Sequence, residues 1–270
     1  MKILLNNIDL NKALYNNSNI GFVPTMGGLH KGHISLIRKS KKQCKKTMVS
    51  IFVNPTQFNN KKDFQKYPRN LKKDLNILKK LKVNFVYVPN KRDIYSVKSK
   101  VKIKLKLKEK ILCAKFRKGH FEGVIDVMTR LVKIIHPTKI FMGEKDFQQL
   151  HLVKMHIKKK FKSKIISCKT IRDKSKLALS TRNILLSKDD KKKGGHIAKN
   201  LISFKILLSK SKNLKKLIDR KKDNLKKKYK IKVEYLELRK IKNLTISNKV
   251  KNSKLFFAYY MNKVRLIDNF

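Results

Sequence analysis

The chain has 270 residues, 41% of them hydrophobic and 33% charged, enough apolar material for a buried core and too much for a disordered protein. Only 9 Gly and 5 Pro exclude a low-complexity linker protein, no run approaches the roughly 18 apolar residues of a membrane span, and residues 1–7 turn polar too soon for a signal peptide. Lys and Arg total 71 against 17 Asp and Glu, a net charge of +54 that attracts polyanions, but the excess is nearly all Lys and runs from Lys2 to Lys263.

Base recognition favours clustered Arg, so we read most of this lysine as solvated helix and loop faces, enriched together with Asn and Ile through A/T-rich codons. A basic nucleic-acid-binding protein is the rival from another class; it requires tight binding with a steep salt dependence. Cys44, Cys113 and Cys168 are odd in number and lack a Cys-x-x-Cys pair. They are expected to be reduced thiols of a cytoplasmic protein, with no specific nucleic acid and no membrane partner.

Short apolar runs alternate with helical periods through the first two-thirds of the chain, the pattern of a parallel α/β sheet. Residues 20–24 predict a buried strand, followed by a Gly-rich turn and a helix to about Lys42. Residues 47–53 form a second strand, ending at Asn54-Pro55. Pro68 is expected to open a helix whose Leu71, Leu75, Leu78 and Leu81 share one stripe. A third strand covers 84–88. Val101, Ile103, Leu105 and Leu107 alternate with Lys and predict a half-exposed strand. A helix over 123–135, a strand over 139–143, a helix over 146–160 and a strand over 164–168 follow.

After Arg172 the pattern changes to two lysine-rich helices (188–208 and 214–228) and strands at 233–236, 256–260 and 264–267. The expected architecture is a Rossmann-like parallel sheet with helices on both faces over 1–171, then a smaller α+β domain over 172–270.

The segment Pro24-Thr25-Met26-Gly27-Gly28-Leu29-His30-Lys31-Gly32-His33 leaves a strand and opens a helix, where backbone N–H groups and the helix dipole suit a phosphate. Gly27 and Gly28 allow a tight turn. His30 and His33 share one face of the first helical turn and can donate to phosphate oxygens. The same pair could be a metal site or ordinary surface histidines, although no acidic or Cys cluster nearby completes a ligand set. P-loop and dinucleotide motifs are absent.

His30-Lys31-Gly32-His33 resembles the His-x-Gly-His motif of adenylyl-transferring nucleotidyltransferases. Four more strings, with the first in full, resemble the pantoate–β-alanine ligase family in order and spacing: Val49 to Phe58, Gly119-His120-Phe121-Glu122-Gly123-Val124, Phe141 to Leu150, and Leu177 to Asn183. The resemblance implies attack of the pantoate carboxylate on ATP, giving pantoyl adenylate and pyrophosphate. Attack of the β-alanine amine then gives pantothenate and AMP.

It further implies an ATP loop of Met26, Gly27, Gly28, Leu29, His30, Lys31, Gly32 and His33, with His33 as proton donor and His30 as its phosphate-binding companion. Gly143, Glu144, Lys145 and Asp146 contact ATP, Lys145 on the phosphates. Ile171, at the end of the first domain, and Leu179, Ser180, Thr181 and Arg182 of the second supply the remaining ATP contacts, and we expect residues 172–270 to close over the ATP site. Gln57 and Gln149 hold pantoate and β-alanine, with Tyr67 and Arg117 as further site positions. Mg²⁺ accompanies ATP near Asp146, and the protein is expected to be a homodimer. Another transferase with the same histidine motif need not have Gln57 or Gln149.

The chain departs from the family pattern at Thr181 (usually Ser), Lys118 (usually Pro), Cys113-Ala114 (usually acidic-Gly) and Ser175-Lys176 (usually Asp-Gly).

Overall fold

The computed structural model of the chain describes residues 1–59, 61–96, 103–211 and 213–270. They form two compact units, 1–144 with 149–169, and 145–148 with 170–270. In chain order the elements before the second unit's main segment are β1 (Lys2–Leu4), α1 (Asn7–Leu14), β2 (Ile20–Thr25), α2 (Lys31–Gln43), β3 (Lys46–Ile51), α3 (Lys61–Gln65), α4 (Leu71–Lys80), β4 (Phe85–Tyr87), α5 (Lys91–Tyr95), α6 (Cys113–Phe116), α7 (His120–Ile135), β5 (Lys139–Gly143), α8 (Phe147–Lys160) and β6 (Lys164–Cys168).

The six strands make one sheet in the order β1-β4-β3-β2-β5-β6, every pair parallel. The central strands are apolar on both faces: Phe22, Val23, Met48, Val49, Ile140 and Phe141 are fully buried under helices, which is why they read as continuous runs. Strand order reverses at β2, which pairs with β3 on one side and β5 on the other. The carboxyl ends of β2 and β5 therefore flank the crevice where parallel α/β sheets bind ligands.

Two local expectations change, and one strand was not predicted. Helix α4 starts later than Pro68, because the Asn70 side chain accepts from Lys73 N at 2.9 Å and caps the helix at Leu71. Among the described residues the predicted half-exposed strand is absent: Val101 lies outside them, 103–106 are irregular, and Leu107–Glu109 form a 3-10 turn. Leu105 is 6% exposed and Leu107 86%, so residues that alternation placed on one face meet opposite surroundings. Lastly, β1 was too short for any periodicity; it is held by Lys2 N to Asn84 O and Val88 N to Leu4 O, both 2.8 Å.

The second unit contains α9 (Lys188–Leu208), α10 (Leu214–Tyr229), β7 (Lys232–Lys240), β8 (Ser253–Met261) and β9 (Val264–Asn269), with an antiparallel sheet in the order β7-β8-β9. Leu201, Leu208, Leu225, Leu255 and Phe257 are at its core. In α10, Leu214, Ile218 and Leu225 are buried while Lys215, Lys216, Lys227 and Lys228 are exposed, so lysine there occupies the solvent face. Ser187 and Asn213 cap the two helices.

Candidate active site

The loop from β2 to α2 is tied down almost completely by its own neighbours. Gly27 and Gly28 adopt φ of +79° and +63°, a conformation that strains residues with a Cβ. Thr25 Oγ1 donates to Ser50 O (2.7 Å) and accepts from Gly27 N (3.2 Å). The buried Asp74 carboxylate of α4 accepts from Gly28 N and Leu29 N, each at 2.8 Å. His30 N donates to His33 Nδ1 (3.4 Å) and Gly32 N to His30 Nδ1 (3.1 Å), a capping box made of two histidines.

This corrects the expectation that the loop offers these backbone N–H groups to a phosphate: Thr25, Asp74 and the two imidazoles take them. What the loop presents instead is the imidazole pair. Both Nδ1 atoms accept, so each neutral ring carries its proton on Nε2, and the rings lie 4.1 Å apart. Asp74 was missed from the sequence. The only available signal was an acid inside an apolar helix stripe of a chain otherwise rich in lysine.

Met26 and Gln57 come together: Gln57 Nε2 donates to Met26 Sδ at 2.9 Å. Gln57 ends the Pro55–Gln57 3-10 turn that follows β3, and Asn54, 1% exposed, organises that turn. Asn54 Nδ2 donates to Gln57 Oε1 (3.3 Å) and Gly123 O (3.2 Å), while Asn54 Oδ1 accepts from Tyr95 OH (2.8 Å), Thr56 N (3.3 Å) and Thr56 Oγ1 (3.1 Å). Burial pushes the Tyr95 phenol above its ordinary pKa, keeping it a donor. The Gln57 amide is thus oriented from both ends before any ligand arrives. Tyr67 is buried, its ring edge-on to Phe58 at 5.6 Å. Arg117 reaches His120, with Nη1 2.7 Å from Nε2.

Lys31 is exposed at the start of α2. Gly143 and Glu144 are half-buried at the carboxyl end of β5, and Gln149 is half-buried early in α8. Among the described residues, no group of three or more His, Cys, Asp or Glu could hold a metal ion. Cys44, Cys113 and Cys168 are free thiols.

In the second unit, Lys145 Nζ lies 3.8 Å from Asp146 Oδ1, and the Lys145 carbonyl accepts from Asn269 Nδ2 at 2.9 Å. Ile171 and Leu179 face each other across a tight hairpin, Leu179 N donating to Ile171 O (2.9 Å), with a bridge between Arg172 and Ala178. Ser180 caps the Thr181–Leu185 3-10 turn by accepting from Arg182 N at 3.3 Å, and Thr181 is buried. The hydroxyl-rich pair thus shapes the turn that carries Arg182.

Lys176, at the tip of this hairpin, has φ +78°, so the departure from glycine there is a strained one. Left-handed backbone costs an L-residue about 1–2 kcal/mol, and glycine's extra freedom in the unfolded chain returns about half of that. Lys176→Gly should therefore stabilise the protein by about 0.5–1 kcal/mol in urea unfolding; an unchanged or lower midpoint would contradict this.

The family model described as Pantoate-beta-alanine ligase matches residues 4–270. A pantothenate synthetase of Francisella tularensis subsp. novicida (strain U112) is 40% identical over 264 residues, covering 97% of this chain and 92% of that relative. The crystal structure of pantothenate synthetase from Thermus thermophilus matches with a TM-score of 0.93 at 28% identity, covering 100% of this chain and 99% of that one. Pantoate-beta-alanine ligase from Francisella tularensis, solved in complex with beta-gamma ATP and beta-alanine, matches with a TM-score of 0.84 at 37% identity, covering 100% and 97%. The chain belongs to the pantoate–β-alanine ligase family.

Proposed function

We propose that the chain performs its family's ATP-dependent joining of pantoate to β-alanine in two steps, with residues of the β2–α2 loop and of the Pro55–Gln57 turn in the central roles. The ligation itself follows from family membership. The observation that carries the assignment of roles is the 2.9 Å contact between Gln57 Nε2 and Met26 Sδ, which places a preoriented amide against the histidine loop within one unit.

In the first step a pantoate carboxylate oxygen attacks the α-phosphorus of ATP and pyrophosphate leaves. In the second, the β-alanine amine attacks the acyl carbon, AMP leaves and the nitrogen loses a proton. His30 and His33 donate from Nε2 as charge grows on the phosphate oxygens, and Lys145 and Arg182 neutralise the triphosphate. Met26, Gly27, Gly28, Leu29, Lys31 and Gly32 shape the nucleotide loop, with Gly143, Glu144, Asp146, Ile171, Leu179, Ser180 and Thr181 as further ATP contacts. Gln57 and Gln149, with Tyr67 and Arg117, hold pantoate and β-alanine. An amide both donates to a carboxylate and accepts from a hydroxyl, which suits a hydroxy acid. Rate enhancement comes from positioning and charge stabilisation, with no covalent enzyme intermediate.

Asp146, half-exposed beside Lys145, is the residue that would hold Mg²⁺ brought in with ATP. When bound it screens phosphate charge. We also infer residues 172–270 to be the part that closes over ATP, a homodimer as the working state and a cytoplasmic location. No helix among the described residues is long and apolar enough to cross a membrane.

An assay with ATP, pantoate and β-alanine tests this reading. Pyrophosphate release should require pantoate, and AMP release should require β-alanine. Arg182→Ala should slow adenylation by more than about tenfold, the loss of one charge contact at the transition state. Pantoate-independent pyrophosphate release, or near-normal adenylation by the variant, counts against it.

A further inference from the structure

His120 opens α7 and is 7% exposed, and the reaction above leaves it without a role. Its Nδ1 is 2.7 Å from the Gln57 carbonyl oxygen and its Nε2 is 2.7 Å from Arg117 Nη1. A carbonyl only accepts and a guanidinium only donates, so the ring carries its proton on Nδ1 and its lone pair on Nε2. The same helix presses on this turn at a second point. A Cβ at Gly123 would lie 2.5 Å from Thr56 O and 3.0 Å from Gln57 Cα, and Gly123 O accepts from Asn54 Nδ2. The Gln57 side chain is therefore held by Asn54 and Met26, and its backbone by His120.

We propose that His120 is a positioning residue for Gln57: its Nδ1–H fixes the Gln57 carbonyl, and Arg117 holds the ring in the required tautomer. This rests on Gln57 binding the hydroxy acid, as proposed above. A substrate-holding amide displaced by about 1 Å loses up to about a hundredfold in rate, so the carbonyl anchor sets how well pantoate is held. Besides its place among the substrate-holding residues, Arg117 then also acts on the pantoate site through His120. The sequence displayed His120 within Gly119-His120-Phe121-Glu122-Gly123 but gave it no partner, since Gln57 is 63 residues away.

The test compares KM values for pantoate and ATP, kcat, and unfolding midpoints in wild type, Gln57→Ala, His120→Asn, His120→Gln and His120→Ala. An Asn side chain puts an N–H near the position of Nδ1, whereas a Gln side chain reaches towards Nε2. His120→Asn should keep the pantoate KM within about threefold of wild type, while His120→Gln and His120→Ala raise it about tenfold, the consequence of an unsatisfied buried carbonyl. The ATP KM should move by less than about twofold throughout, on the same grounds.

The proposal is overturned if His120→Asn behaves like His120→Ala, if pantoate and ATP KM values rise together, or if none of the variants changes the pantoate KM. It is also overturned if neither polar variant folds, since His120 is then structural. Gln57→Ala separates the two readings. An unchanged pantoate KM in that variant removes the role of Gln57 and this inference with it; a raised KM beside inert His120 variants removes this inference alone.

Discussion

Replacing His33 by alanine is expected to slow pantoate-dependent pyrophosphate release by about a hundredfold or more, the usual cost of removing one donor aimed at developing charge. The capping box makes His33 the cleaner probe of the pair. His30 accepts from Gly32 N at 3.1 Å as the N-cap of α2, so His30→Ala would also cost about 1 kcal/mol of helix stability. The acceptor that His33 Nδ1 offers His30 N is long, 3.4 Å, so His33→Ala should cost the helix less stability than His30→Ala.

His33→Gln adds a control, because its amide nitrogen sits near the position of Nε2 and can donate without titrating. Partial recovery by Gln over Ala, seen in single-turnover adenylation, would assign the effect to donation. Activity of His33→Ala within about threefold of wild type would remove the imidazole pair from the chemistry, given the size of effect expected.

The largest expected effect on stability is at Asp268 in β9. Its carboxylate accepts from Arg172 Nη1 (2.6 Å), Arg172 Nη2 (2.8 Å) and Asn269 N (2.7 Å), and it is 8% exposed. Burial pushes the Asp268 carboxyl above its ordinary range, and the guanidinium and Asn269 amide pull it back. Arg172 also donates to Lys176 O and Asn269 O, and it lies over the Phe270 ring at 4.8 Å.

Asp268→Ala would leave that guanidinium without its counter-charge, a loss of about 3–5 kcal/mol. Urea unfolding measures it, and the double substitution Arg172→Met with Asp268→Leu should recover most of the loss, because two apolar groups need no partner. A single-variant loss below about 1 kcal/mol would mean that the pair is effectively solvated. The consequence reaches the proposed chemistry: Asn269, next in the chain, holds the Lys145 carbonyl, so loosening β9 should weaken triphosphate binding as well as stability.

Much of the architecture was legible because it is written at short range. Residues 20–24, 139–143 and 164–168 announced parallel strands through continuous apolar runs, and α9 and α10 through their spaced Leu and Ile. The histidine loop was legible for the same reason, since a strand, two glycines and a helix start are contiguous. The half-exposed strand near Leu105 failed because alternation identifies a strand only when a partner strand exists to receive it. The loop amides were misjudged because their acceptor, Asp74, belongs to another helix.

The sequence by itself determined most of the strands and helices, the tight turn at Gly27 and Gly28, and the pairing of His30 with His33. These depend on neighbours within a turn or two of chain. Only the tertiary structure decided which groups saturate the loop and the glutamine turn: Asp74 lies 46 residues from Gly28, His120 63 from Gln57, and Asp268 96 from Arg172. Hydrogen-bond partners at such separations follow from sheet order and helix docking, and no local periodicity encodes them.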